Sequence, residues 1–153
     1  MAETRRPPQL GVDHIGLSVT NLERSMAFYC DLLGAEVVFP LHPAHNFDGR
    51  RTVLSLGPQM FDINEFAAND GKAFDSARTG LDHVAFTVGS REDLDRWAHW
   101  LDGNNIDRSQ IRTIDTDIPP VQIRGHMFDL LDPDGIQLEF VCVSRMELGT
   151  VTF

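Results

Sequence analysis

Two histidines stand in segments of the chain that repeat each other: His14 in Val12-Asp13-His14-Ile15-Gly16-Leu17-Ser18-Val19, and His83 in Leu81-Asp82-His83-Val84-Ala85-Phe86-Thr87-Val88. A lone histidine on a strand is more often a hydrogen-bonded structural residue than a ligand. Two at matched positions of two copies are a different observation, because an imidazole from each copy plus one carboxylate makes a 2-His-1-carboxylate set suited to Fe, Mn, Co, Ni or Zn. The carboxylate candidates are Glu139, in Ile136-Gln137-Leu138-Glu139-Phe140, and Asp62, in Met60-Phe61-Asp62-Ile63-Asn64-Glu65-Phe66. Groups of this kind also move protons as general acids or bases.

In each repeat, apolar residues alternate with small or polar ones, as in a strand with one face on a core, and both histidines fall on the other face. A helix is predicted after each strand. In the first, Leu22, Met26, Tyr29 and Leu33 recur at helical spacing, Asn21 can cap the start and Gly34 can stop the end. In the second, Ser90 can cap, Leu94, Trp97, Ala98 and Leu101 make the apolar stripe, and Gly103 ends the helix. Three strand-like stretches follow each helix, at Glu36 to Leu41, Arg51 to Leu56 and Met60 to Phe66, then at Ile111 to Asp115, His126 to Leu131 and Ile136 to Val143. Each half therefore reads βαβββ, the first over 12–66 and the second over 81–143, with 67–80 as connector and 144–153 as C-terminal tail; Asn69 to Gly80 in particular lacks periodicity. One such half would leave a sheet face bare. The expected fold is thus one α+β domain over 1–153, its two βαβββ modules forming a curled mixed β-sheet around a central cavity with the helices outside.

Strand parity separates the two acidic residues of the first half. Leu138 and Phe140 flank Glu139 as Phe61 and Ile63 flank Asp62, so Asp62 shares the cavity face and Glu65 does not. Asp132-Pro133-Asp134-Gly135 has the residues a tight turn needs whatever the function. His42 and His45 are expected in a solvated loop with Pro40, Pro43 and Asn46, and His99 on a helix surface. His126 opens a strand and is assigned a structural role, although from there it could reach the cavity as an acid or base.

The 153 residues, 42% of them hydrophobic, can bury one sizeable core. No apolar stretch reaches the roughly 20 residues that cross a bilayer. Met1 to Gln9 has Arg5, Arg6, Pro7 and Pro8 but no apolar run after the charges, and reads as a frayed leader rather than a secretory signal. A formal charge of −10 repels phosphate backbones and acidic membrane surfaces, so neither nucleic acid nor membrane is an expected partner. Cys30 and Cys142 have no spaced framework and read as free thiols in a reducing cytoplasm.

The repeated order, the DHIGLSV and DHVAFTV segments and the closing Asp132 to Phe140 stretch resemble the vicinal-oxygen-chelate superfamily over roughly Val12 to Val143. That superfamily includes glyoxalase I, extradiol dioxygenases, methylmalonyl-CoA epimerase and the bleomycin- and fosfomycin-resistance proteins. The resemblance implies one divalent metal ion held by His14, His83 and Glu139, with Asp62 at a fourth position where the family usually has the longer Glu. It also implies a small-molecule substrate and a homodimer. A metal that holds two neighbouring substrate oxygens favours proton transfer, so Glu139 and Asp62 are the candidate catalytic groups of a lyase or isomerase of the glyoxalase kind. An Fe(II) extradiol dioxygenase is one alternative, although the only tyrosine, Tyr29, belongs to the first helix. A non-catalytic drug binder of the bleomycin-resistance kind is the other. Substrate and metal identity stay open.

Overall fold

A computed structural model of the chain describes residues 11–118 and 121–148. The expected leader, Met1 to Gln9, lies outside the described residues, as does the end of the expected tail from residue 149. The chain divides into two compact units, Met1–Gly71 and Lys72–Phe153.

The first unit runs β1 (His14–Ser18), α1 (Leu22–Met26), β2 (Glu36–Pro43), β3 (Gly49–Leu56) and β4 (Gln59–Phe66), with α1 continuing as a wider π-helical stretch over Ala27–Leu32. Asn21 caps α1 by accepting the Arg24 N–H at 2.8 Å, and Gly34, at φ 78°, supplies the left-handed turn that ends the helical segment. The sheet order is β1-β4-β3-β2, with β1 parallel to β4 and the other pairs antiparallel. Leu22 and Tyr29 from the helix meet Leu17, Leu54, Phe61 and Ile63 from the sheet, all 3% exposed or less, with Tyr29 stacked on Phe61 at 6.4 Å between ring centres. One face of the sheet is thereby covered, and the alternate residues of β1 and β4 form its open face.

The second unit repeats this order: β5 (His83–Thr87), α2 (Arg91–Gly103), β6 (Arg112–Ile118), β7 (Val121–Leu131) and β8 (Gln137–Leu148), in sheet order β5-β8-β7-β6. Leu94, Ala98 and Leu101 of α2 are buried, as are Phe128, Leu130, Leu138 and Phe140 of the sheet. Trp97 lies 5.0 Å from Phe140, which stacks in turn on Phe128 at 5.2 Å. Both units are α+β, as expected. Among the described residues no helix is long and apolar enough to cross a membrane.

Several boundaries differ from the sequence reading. The second helix does end at Gly103, but the left-handed conformation that follows is taken by Asn105, at φ 56°, which asparagine tolerates better than most residues. β7 starts at Val121 instead of His126, and β8 runs to Leu148, so residues 144–148 are strand and not tail. The cause is a register shift between Arg124 and Gly125, which breaks the two-residue alternation that marks a strand in sequence. Gly125 sits tight against β8: a Cβ there would lie 2.2 Å from the Cys142 carbonyl oxygen. β2 likewise extends to Pro43, so His42 is a strand residue and not a loop residue. Proline is tolerated in β2 because that strand is terminal in its sheet.

Candidate functional site

Each unit sets a histidine beside a carboxylate by the same device. His14 is the first residue of β1, and two residues on, Gly16 pairs with Asp62 of the parallel β4. His83 is the first residue of β5, and two residues on, Ala85 pairs with Glu139 of β8. Asp62 and Glu139 are therefore equivalent positions of the two repeats. His14 Nε2 lies 3.9 Å from an Asp62 carboxylate oxygen, and His83 Nε2 lies 3.6 Å from one of Glu139. Phe61 and Ile63, on either side of Asp62, and Leu138 and Phe140, on either side of Glu139, are buried under the helices, so both carboxylates are on the open faces.

The other nitrogen of each ring is held by the preceding residue. His14 Nδ1 is 2.8 Å from Asp13, and His83 Nδ1 is 2.8 Å from Asp82. A carboxylate only accepts, so Nδ1 carries the proton and Nε2 is left to face the strand carboxylate. These contacts raise both histidine pKa values above 6.5, chiefly through the hydrogen bonds to Asp13 and Asp82, with Asp62 and Glu139 adding a coulombic contribution in the same direction. An imidazole nitrogen beside an anionic oxygen is a donor set that fits a divalent cation. Within either unit, no third histidine, cysteine or carboxylate joins the pair to make a complete metal site among the described residues.

The two pairs differ in their surroundings. Arg51 of β3 forms a close ion pair with Asp62 through Nη2, whereas Glu139, besides facing His83, receives a long contact from the Gln137 amide at 3.3 Å. In the second unit the arginine goes to a different carboxylate. Asp129, the cross-strand neighbour of Glu139, is bound by Arg112 at 2.8 Å and by the Ser109 hydroxyl at 3.2 Å. Neither Arg51 nor Asp129 was among the expected site residues. Their only sequence signal is parity with Val53 and Met127 on strands whose pairing had first to be known.

Glu65 is on the helix side, where it accepts the Leu22 N–H at 2.9 Å and pairs with Arg50 at 2.7 Å. His126 lies mid-strand between Thr113 and Cys142, on the same face as Phe128 and Leu130 and away from the open face. Its Nδ1 is buried without a hydrogen-bond partner. His42 does fall on the open face of the first unit, as the cross-strand partner of Arg51, while His99 is exposed on α2. The Asp132 carboxylate accepts the N–H groups of Asp134 and Ile136 at 2.9 and 2.8 Å, so the Asp132 to Gly135 segment serves as a turn.

A family model described as the Glyoxalase/Bleomycin resistance protein/Dioxygenase superfamily matches residues 11–140. The metallothiol transferase FosB of Staphylococcus haemolyticus (strain JCSC1435) is 30% identical over 96 residues, which span 63% of this chain and 61% of that relative, so the chain matches about three fifths of its length. The uncharacterized protein YaeR of Escherichia coli (strain K12) is 29% identical over 128 residues, 84% of this chain and 92% of that protein. Among solved structures, the glyoxylase/bleomycin resistance protein/dioxygenase domain from Frankia sp. EAN1pec superposes with a TM-score of 0.73 at 25% identity, covering 90% of this chain and 95% of that one.

Proposed function

The chain belongs to the glyoxalase/bleomycin resistance protein/dioxygenase superfamily, and from that premise we propose that it is a metal-dependent lyase or isomerase of the glyoxalase kind, acting on a small substrate with vicinal oxygens. The observation that supports this most is the duplicated pair: a histidine with its Nδ1 proton fixed by an aspartate and its Nε2 turned to a strand carboxylate, once in each unit. His14, His83 and Glu139 would hold one divalent ion (Zn, Ni, Co, Mn or Fe), with Asp62 as a fourth residue. When bound, such an ion would stabilise the negative charge that develops on a substrate oxygen as a neighbouring proton leaves.

The chain's own residues have separable tasks. Asp13 and Asp82 fix the tautomer and ring orientation of the two histidines. Glu139, whose neighbours are the Gln137 amide and His83, keeps a carboxylate able to take up and return a proton. Asp62 has one oxygen committed to Arg51, so its part is a water-bridged or proton-holding one unless that ion pair opens. The two free thiols, Cys30 and Cys142, fit a cytoplasmic setting.

The likeness to a metallothiol transferase supports a second reading, metal-assisted addition of a thiol to a small electrophile. A dioxygenase is the weaker alternative, since Tyr29 is 1% exposed and stacked on Phe61, so no tyrosine hydroxyl stands on an open face. Metal analysis of protein purified without added metal tests the reading. About one divalent ion per chain is expected, lost in the His14→Ala, His83→Ala double variant. Equal occupancy in that variant would sink the proposal.

A further inference from the structure

The open face of the first unit holds a second polar feature, one pleat away from Asp62. Reading across the sheet from β1 to β2, Ser18, Asn64, Arg51 and His42 are successive cross-strand partners, so four polar side chains form one transverse row. The neighbouring row contains Gly16, Asp62, Val53 and Phe39, and the gap at Gly16 is open: a Cβ there would come no closer than 4.0 Å to the Asn64 amide nitrogen.

Arg51 is the centre of the polar row. Asp62 pairs with its Nη2, while its Nε is buried without a hydrogen-bond partner and the side chain is 24% exposed. The adjacent Arg50 behaves differently. It is on the helix side, bound by Glu23 at 2.6 and 3.0 Å and by Glu65 at 2.7 Å, and has a structural task. On either side of Arg51, His42 is anchored by donating Nδ1–H to the Pro40 carbonyl at 2.7 Å, and the Asn64 amide donates to the Asp62 carbonyl at 3.1 Å with a second N–H left over. The row itself includes no carboxylate. In a chain of net charge −10 it offers an anion the guanidinium of Arg51 and the donors of Asn64 and Ser18, and a guanidinium held by Asp62 at one nitrogen keeps further N–H groups for a second anionic oxygen.

We propose that Arg51, with Asn64 and Ser18 beside it, recognises an anionic oxygen group on the substrate, and that Asp62 is its positioning residue. The substrate class is then a small molecule with vicinal oxygens and a carboxylate, phosphonate or phosphate substituent. This rests on the proposed function, because it takes the open face of the first unit to be the substrate side.

A matched set of probes tests it. Isotope-labelled full-length chain is titrated with dihydroxyacetone, dihydroxyacetone phosphate and inorganic phosphate, following the NMR signals of the Arg51 side chain and of the amides of Ser18, His42 and Asn64. The phosphate ester is expected to bind at least about tenfold tighter than either other probe, with shifts confined to this row. In Arg51→Met and in Arg51→Gln, which keeps a donor for Asp62, that preference should fall to about twofold or less. Two variants guard against one of them failing to fold. A preference that survives both, no preference in the unaltered chain, or inorganic phosphate binding as well as the ester would each overturn the assignment; the last would mark a free-anion site. Metal content is measured in parallel. Absence of metal from the unaltered chain defeats the proposed function, whereas an unaltered chain that holds metal but shows no anion preference defeats only this inference.

Discussion

The neighbouring aspartate accepts the Nδ1 proton of His14 and of His83, and the strand carboxylate facing each Nε2 adds negative charge nearby, so both contacts favour the charged ring more than water does. Both pKa values accordingly lie above 6.5, with the hydrogen bonds to Asp13 and Asp82 as the main cause. A group whose folded pKa is raised stabilises the fold below its unfolded value, near 6.5, and loses that contribution as pH rises through the raised value. Metal binding runs the other way, because the ligand is the neutral ring, so metal retention should already decline as pH falls through a range above 6.5. Histidine ring titration by NMR is expected to show both midpoints above 6.5 in the metal-free chain, with His14 moving back toward 6.5 in Asp13→Asn; an unmoved midpoint would remove Asp13 as the cause. The histidines and carboxylates were readable in the sequence because the repeat aligned them. Arg51 was not, since its link to Asp62 crosses from β3 to β4 and nothing local in either segment announces it.

At the scale of elements, α1 depends on a side chain from the far end of its unit. The Glu65 carboxylate on β4 accepts the Leu22 N–H at 2.9 Å, an otherwise orphaned donor of the first helical turn, and also ties down Arg50. Glu65→Ala should therefore destabilise the fold by about 1–2 kcal/mol in urea unfolding while metal content is unchanged. Asp62→Asn should leave stability within about 0.5 kcal/mol of the unaltered chain. The reverse pattern would mean that the two carboxylates have been assigned to the wrong faces. Alternation of period two sufficed to find β1, β4 and β5 and to tell Asp62 from Glu65. It failed along β7 and β8, where the register shift at Gly125 makes the ladder continue through polar residues that side-chain pattern alone reads as loop.

For the molecule as a whole, a terminal strand is the notable feature. β2 ends its sheet and exposes Val37, Val38 and Phe39 at 46%, 44% and 57%, an apolar stretch with unpaired ladder groups along its outer side. A homodimer that covers such an edge is the expected state, to be checked by light scattering at micromolar concentration and neutral pH; a monomeric mass would refute it, and Phe39→Lys should weaken any dimer that uses this strand. Charge supplies the opposing influence. At neutral pH the formal −10 keeps separate particles apart, but close to the isoelectric point of about 4.8 that repulsion vanishes while β2 stays apolar. Mild acidification should thus turn a clear solution cloudy near pH 4.8, and Phe39→Lys should keep it clear, which makes the same three residues the handle for formulating and storing the protein at high concentration.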